Sequence, residues 1–216
     1  MPFDSSLLIG GQLHDVKNQM QSLISVHAEL HALLADHPQA DELLQQIDHH
    51  SQALNQRIVE LLSILKIQNK NFSPSIEENW LIDTLDPIIR EFTKSHALTL
   101  EINVDDDFNP FYDEQLVSLA MRNILTNSEQ AGASQVNIWT QEFDNGQWEL
   151  HVQDNGPGFD SHLLEQTQFA PQGTDHGLGL YLIQQVMLVH KRKQHQGQLI
   201  LQNHPKGGAH ITLVFP

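Results

Sequence analysis

Asp154-Asn155-Gly156-Pro157-Gly158, followed by Gly177-Leu178-Gly179-Leu180, is the most informative part of this chain. An acidic residue at the end of an apolar strand is placed to accept a hydrogen bond from an exocyclic amine. Gly156 and Gly158 let the backbone approach a flat ring. Glycines at the start of a helix, Gly177 and Gly179, leave free amides and the positive end of the helix dipole facing phosphate oxygens. Upstream, Asn123 and Asn127 are four residues apart, so both amides project from one helical face and offer carbonyl oxygens to a hard cation such as magnesium. Each cluster alone has a plain structural explanation, because Asp-Asn-Gly is a common turn, glycines loosen helix starts and asparagines cap helices. Their order along the chain carries the information.

Working outward, the residues around these clusters read as α+β. The pattern predicts helices at about 77–94, 114–131 and 177–193, and strands at 98–104, 135–143, 148–153, 198–202 and 209–215. Asp144-Asn145-Gly146 is a strong hairpin signal between the second and third strands. Lys191-Arg192-Lys193 reads as the solvated end of the last helix.

The N-terminal third has a different period. Ile9, Leu13, Val16, Met20, Leu23, His27, Leu30 and Leu34 follow alternating steps of four and three, a heptad seam. Residues 36–41 (DHPQAD) break it, and a second seam follows through Leu43, Ile47, Leu54, Ile58, Leu61 and Leu65. Two such helices make an antiparallel hairpin. Ile24, Leu33, Leu44, Ala53 and Leu62 lie beside the seams, so one hairpin carries more apolar surface than it covers, and two hairpins pairing into a dimeric four-helix bundle is the natural remedy. The heptads stop at 69–75 (NKNFSPS), which places the domain boundary so that residues 1–72 form the helical hairpin and residues 73–216 the α/β domain.

Composition narrows the function. Of 216 residues, 27 are acidic and 11 are Lys or Arg, a net charge of -16 that excludes a nucleic-acid backbone as the default partner. Cysteine is absent, so disulfides, thiolate metal sites and cysteine nucleophiles are excluded, in keeping with a cytoplasmic location. Leu7-Leu8-Ile9 is too short an apolar run for a signal peptide or membrane span, and no membrane insertion is expected. His27 with His31, and His49 with His50, read as solvated helix histidines rather than a metal site.

Taken together, the helix asparagines, the DNGPG turn, the GLGL helix start and Gly207-Gly208-Ala209 before the last strand resemble the ATP-binding domain of the GHKL superfamily. That resemblance implies a GHKL-type α/β sandwich that binds ATP with Mg2+. It makes Asn127 the metal ligand, Asn123 its support and Asp154 the partner of the adenine amine, with Gly156, Gly158, Gly177, Leu178 and Gly179 shaping the pocket. It also makes 159–176 a lid over the nucleotide, with Phe169 as its aromatic anchor. The helical hairpin in front points to the histidine kinase branch, whose phosphoacceptor box His14-Asp15-Val16-Lys17-Asn18 resembles. His14 is then the residue phosphorylated, Asp15 the base that takes its ring proton, and Asn18 the residue that orients water for dephosphorylating a partner.

Two departures from the family pattern stand near the phosphates. Asp175 occupies a place usually held by glycine, and Gln130 one that is often basic. About a dozen residues precede His14, too few for an input domain, so the input is expected from a separate sensor protein, or the chain is a piece of a longer one. The resulting expectation is a homodimeric histidine kinase that autophosphorylates on His14 and passes the phosphoryl group to a response-regulator receiver domain. A histidine phosphotransferase with a docking C-terminal domain that does not use ATP is the alternative, and a nucleotide-gated module or serine kinase, for which His14 is dispensable, is a third.

Overall fold

The structure, a computed structural model, describes residues 16, 18, 21–26, 30, 38–95, 98–166, 168–169 and 177–216. The chain divides into two compact units, Met1–Phe72 and Ser73–Pro216.

In the first unit, helix α1 runs Pro38–Gln68. Proline fits the first helical position, where its fixed φ is already helical and its missing N–H is no loss, so the break expected at 36–41 is helix from Pro38 onward. Val16, Asn18, residues 21–26 and Leu30 are helical too. Leu44, Ile58, Ile64 and Ile67 are buried, whereas Leu43, Ile47, Leu54 and Leu61 are exposed, as are Val16, Leu23 and Leu30. Most of the residues read as the inner seam therefore face outward in a single chain, and the side position Leu44 faces inward. Steps of four, seven and seven make the exposed row on α1 a heptad stripe without cover. No helix among the described residues is long and apolar enough to cross a membrane.

The second unit holds β1 (Glu77–Glu78), α2 (Leu81–Ser95), β2 (Thr99–Asn103), β3 (Phe111–Tyr112), α3 (Glu114–Gln130), β4 (Gln135–Glu142) and β5 (Trp148–Asp154). There follow α4 (Ser161–Leu164), α5 (Gly177–Val189), β6 (Lys191–Arg192), β7 (His195–Gln196), β8 (Gln198–Asn203) and β9 (Ala209–Phe215). Five strands form one mixed sheet in the order β2-β4-β5-β9-β8, with β2 parallel to β4 and the other pairs antiparallel. Alternate residues of β5 and β9, Leu150 and Val152 with Ile211 and Leu213, point into the core. Helices α2, α3 and α5 cover that face, with α3 between the other two. Leu81, Leu85 and Ile88 of α2 and Leu182, Ile183 and Val186 of α5 recur at steps of three, four or one and are buried almost completely.

Two boundaries differ from the sequence expectation. Residues 77–78 do not open a helix but pair with β3, Glu77 opposite Tyr112. The last helix ends at Val189, not near 193, because His190 turns back to bond the helix end and Lys191–Arg192 pairs with His195–Gln196 as a tight hairpin. Its turn places Lys193 at φ 56, a left-handed conformation that a lysine does not announce in the sequence.

Candidate functional site

β5 delivers Asp154 to the end of the sheet, where the residue is 8% exposed. Its Oδ1 accepts from the backbone N–H of Gly156 and of Ala209, both at 2.9 Å, and its Oδ2 accepts from the Ser128 hydroxyl at 3.0 Å. A carboxylate this buried is costly unless donors surround it, and here three separate segments supply them. These bonds hold the carboxylate rigid and leave further lone-pair capacity on Oδ2 for one more donor from a ligand.

Gly208 is what allows the β8–β9 turn to close on Asp154. It sits at φ 95, and a Cβ there would collide with the Asp154 carbonyl oxygen, with the carbonyl carbon only 2.8 Å away. Asn155, just after β5, is tied to the start of β4: its Oδ1 accepts from Ser134 N at 2.8 Å and Gln135 N at 3.0 Å, and its Nδ2 donates to Ser134 Oγ at 3.0 Å. Gly158, at φ 83, lies against Asn203, whose Oδ1 accepts from Phe159 N at 2.7 Å and whose Nδ2 donates to Phe159 O at 2.8 Å.

The two asparagines of α3 meet on one face. Asn127 donates through Nδ2 to Asn123 Oδ1 at 3.1 Å, and Asn123 is almost fully buried. That bond uses the donor end of Asn127 and leaves its carbonyl oxygen, a hard neutral ligand, to face a cation. Gly179 explains why α5 approaches so closely: a Cβ there would overlap the Asn123 amide, whose Cγ would be 3.2 Å away. The first turn of α5, with Gly177 and half-buried Leu178, therefore stands beside the asparagine pair. Its first N–H groups have no intrahelical partner and suit an anion.

One wall, α3, thus serves both halves of the site, with Asn123 against α5, Asn127 bonded to it, and Ser128 toward Asp154. A rigid acidic acceptor, an amide oxygen for a cation and a helix start for phosphate are the donor and acceptor types that ATP with Mg2+ requires. Among the described residues, no three His, Asp or Glu side chains gather to hold a metal.

Phe169 is buried, and its N–H donates to Gln184 Oε1 on α5 at 3.1 Å. Gln130 is exposed at the end of α3. Asn18 is helical and exposed, whereas His14, Asp15 and Asp175 lie outside the described residues. Sequence reasoning missed Ser128, Asn155 and Asn203. Only Asn155, inside the quoted turn, had a local signal.

Below the site, His190 links α5 to α3. Its Nδ1 donates to Val186 O at 2.8 Å and its Nε2 accepts from Asp113 N at 3.1 Å, which fixes the neutral ring. Burial holds its pKa below the usual histidine value, against the opposing pull of the Val186 carbonyl and Asp113. The unfolded chain therefore takes the proton first as pH falls. Stability from this group is complete above about pH 6.5 and declines below it, by up to about 1.4 kcal/mol per pH unit until the folded ring also titrates. His151 on β5 and His210 on β9 are lowered by burial too and add in the same direction. Urea midpoints are expected to fall between about pH 7.5 and about pH 5.5, and His190→Gln is expected to flatten that dependence.

Residues 112–216 match the family model described as Histidine kinase-, DNA gyrase B-, and HSP90-like ATPase. The chain is 24% identical over 215 residues to signal transduction histidine-protein kinase AtoS of Escherichia coli (strain K12), covering 97% of this chain and 34% of that protein. It is 24% identical over 223 residues to the nisin biosynthesis sensor protein NisK of Lactococcus lactis subsp. lactis, covering 97% of this chain and 48% of that one. Among solved structures, histidine kinase AdeS of Acinetobacter baumannii shares the fold with a TM-score of 0.63 at 14% identity, over 94% of this chain and 96% of that chain. The chain spans between a third and a half of the length of these two curated relatives.

Proposed function

We propose, on the premise that this chain has the organisation of a histidine kinase core whose residues 112–216 form a histidine kinase-, DNA gyrase B-, and HSP90-like ATPase domain, that it is an ATP-dependent protein-histidine kinase. The observation that carries the reading is the Asp154 carboxylate, rigidly held by Ser128, Gly156 and Ala209 beside an asparagine pair and a helix start. ATP and Mg2+, when bound, supply the transferable phosphoryl group and offset its charge. Asp154 accepts from the adenine amine, Asn127 gives its carbonyl oxygen to the metal, and Asn123 holds Asn127 in place. Gly177, Leu178 and Gly179 present the α5 amides to the phosphates, while Gly156 and Gly158 admit the ring.

The neutral imidazole of His14 attacks the γ-phosphorus, so an N–P bond forms as the bond to the bridging oxygen breaks and the diphosphate takes the electron pair. Asp15 receives the ring proton. The phosphoryl group then passes to an aspartate of a response-regulator receiver domain, and in a separate hydrolytic activity Asn18 orients a water that attacks the phosphoaspartate and releases inorganic phosphate. ATP titrated into the chain by calorimetry is expected to bind, more tightly with Mg2+ than without. No binding under either condition would move the reading to a histidine phosphotransferase.

The protein works as a homodimer in this reading, supported by the exposed row Leu43, Ile47, Leu54 and Leu61, which a second copy covers. Sedimentation is expected to give a dimer for the native chain and a monomer for Leu54→Glu, because a carboxylate in an apolar seam is costly to bury. A Leu54→Glu chain that stays dimeric would remove this support.

A further inference from the structure

The run Lys191-Arg192-Lys193 has no part in the nucleotide site. Trp148 and Asp154 stand at opposite ends of β5, seven residues long, which separates the run's surroundings from the site by about 20 Å. There the second unit opens a cleft of about 570 Å3, within the range of small-molecule pockets. We propose that this cleft binds a small amphiphilic anion, in the simplest case an aromatic carboxylate.

Its floor is rigid and aromatic. Trp148 stacks on Phe215 with ring centroids 3.9 Å apart and planes 4° from parallel, and Phe108 meets Trp148 edge-on at 5.4 Å. Its rim is aromatic as well, with Phe111 66% exposed and Phe143 40% exposed, both bordering the cleft. Large rings left in water beside a preformed apolar floor favour a ligand with a flat apolar body.

The charge of the ligand follows from the cations. A chain with 27 acidic and only 11 basic side chains places three of the latter in succession here, and Lys191 and Arg192 line the cleft. The hairpin β6–β7 displays them, turning through the left-handed Lys193. Arg192 Nη1 donates to Gly146 O at 3.2 Å, and a Cβ at Gly146 would come within 2.7 Å of that nitrogen, so the glycine of the β4–β5 turn is what seats the guanidinium. Among the described residues, neither Lys191 nor Arg192 forms an ion pair with an acidic side chain. Glu142 also lines the cleft, as does Pro216, the last residue of the sequence, so the cationic side chains outnumber the acidic one two to one before the terminal carboxylate is counted. His190 behind them is held neutral by its two hydrogen bonds. A planar guanidinium suits a carboxylate, and an ammonium on the same hairpin adds to the attraction.

The test is titration of naphthoate into the full chain, followed by calorimetry, with uncharged naphthamide as the control. Naphthoate is expected to bind at least about tenfold more tightly than the amide, and to lose at least about tenfold in Lys191→Gln/Arg192→Gln and in Phe111→Ser, both exposed positions. Saturating ATP with Mg2+ is expected to leave naphthoate binding unchanged. No binding at millimolar naphthoate, equal binding of the amide, indifference to both variants, or displacement by ATP would each overturn the proposal.

Discussion

Gly208→Ala is expected to destabilise the second unit by roughly 3–5 kcal/mol, the sum of a left-handed penalty and a backbone clash. The residue sits at φ 95 and its new Cβ would meet the Asp154 carbonyl group and, at 3.2 Å, Asn155 Cα, none of which belongs to a side chain that can swing away. Relief requires the β8–β9 turn to withdraw from β5, which breaks the Ala209 N–H bond to Asp154 Oδ1. Loss of nucleotide affinity should therefore accompany a fall of about 10 °C in the melting temperature. The neighbour provides the control: Gly207 has nearly the same φ, 97, but open space around it, so Gly207→Ala should cost only the left-handed penalty of about 1–2 kcal/mol. Equal midpoints for the two variants would show that the close approach is not what Gly208 provides.

Asn127→Ala is expected to lower phosphoryl transfer by about 10²–10³-fold or more, the usual scale for removing a group that acts on transition-state charge. The fold should change little, because Asn127 is only half-buried and contributes one side-chain bond, to Asn123. The distinguishing readout is magnesium: the variant should bind ATP without Mg2+ as the native chain does, yet gain nothing when Mg2+ is added. Asn127→Asp, which keeps a hard oxygen in place, should recover part of the Mg2+ effect. An undiminished Mg2+ effect in Asn127→Ala would place the cation elsewhere.

These expectations show which features were legible in the sequence. The glycines at 158, 179 and 208 mark places where a Cβ has no room or φ is positive, a demand that glycine alone meets, whereas at Gly156 a Cβ would sit a tight 3.1 Å from Asp154 Oδ1. Strands β4 and β5 were legible because they flank an Asp-Asn-Gly turn, whereas Asp113, whose side chain caps α3, was not singled out. Ser128 was not legible, because its importance lies in a bond to a residue 26 positions later, and a serine on a helix carries no mark of that. Asn203 was hidden for the same reason, with its partner Phe159 separated from it by 44 positions. The heptads gave helices but not their inner side, since Leu43 and Leu44 fit adjoining stripes and only packing decides which is buried. The β6–β7 hairpin was read as helix because Lys191-Arg192-Lys193 contains neither glycine nor proline at its turn.

In the proposed reaction, ATP bound at Asp154 and Asn127 phosphorylates a histidine of the same protein. The most direct measurement is incubation of the purified chain with Mg2+ and γ-labelled ATP, followed by acid treatment and mass-spectrometric location of the phosphate. The expected result is an acid-labile phosphoryl group on His14 that is absent from His14→Ala and about a hundredfold or more weaker in Asn127→Ala. An acid-stable label, a label that persists in His14→Ala, or no label from a chain that binds Mg2+ and ATP would contradict it.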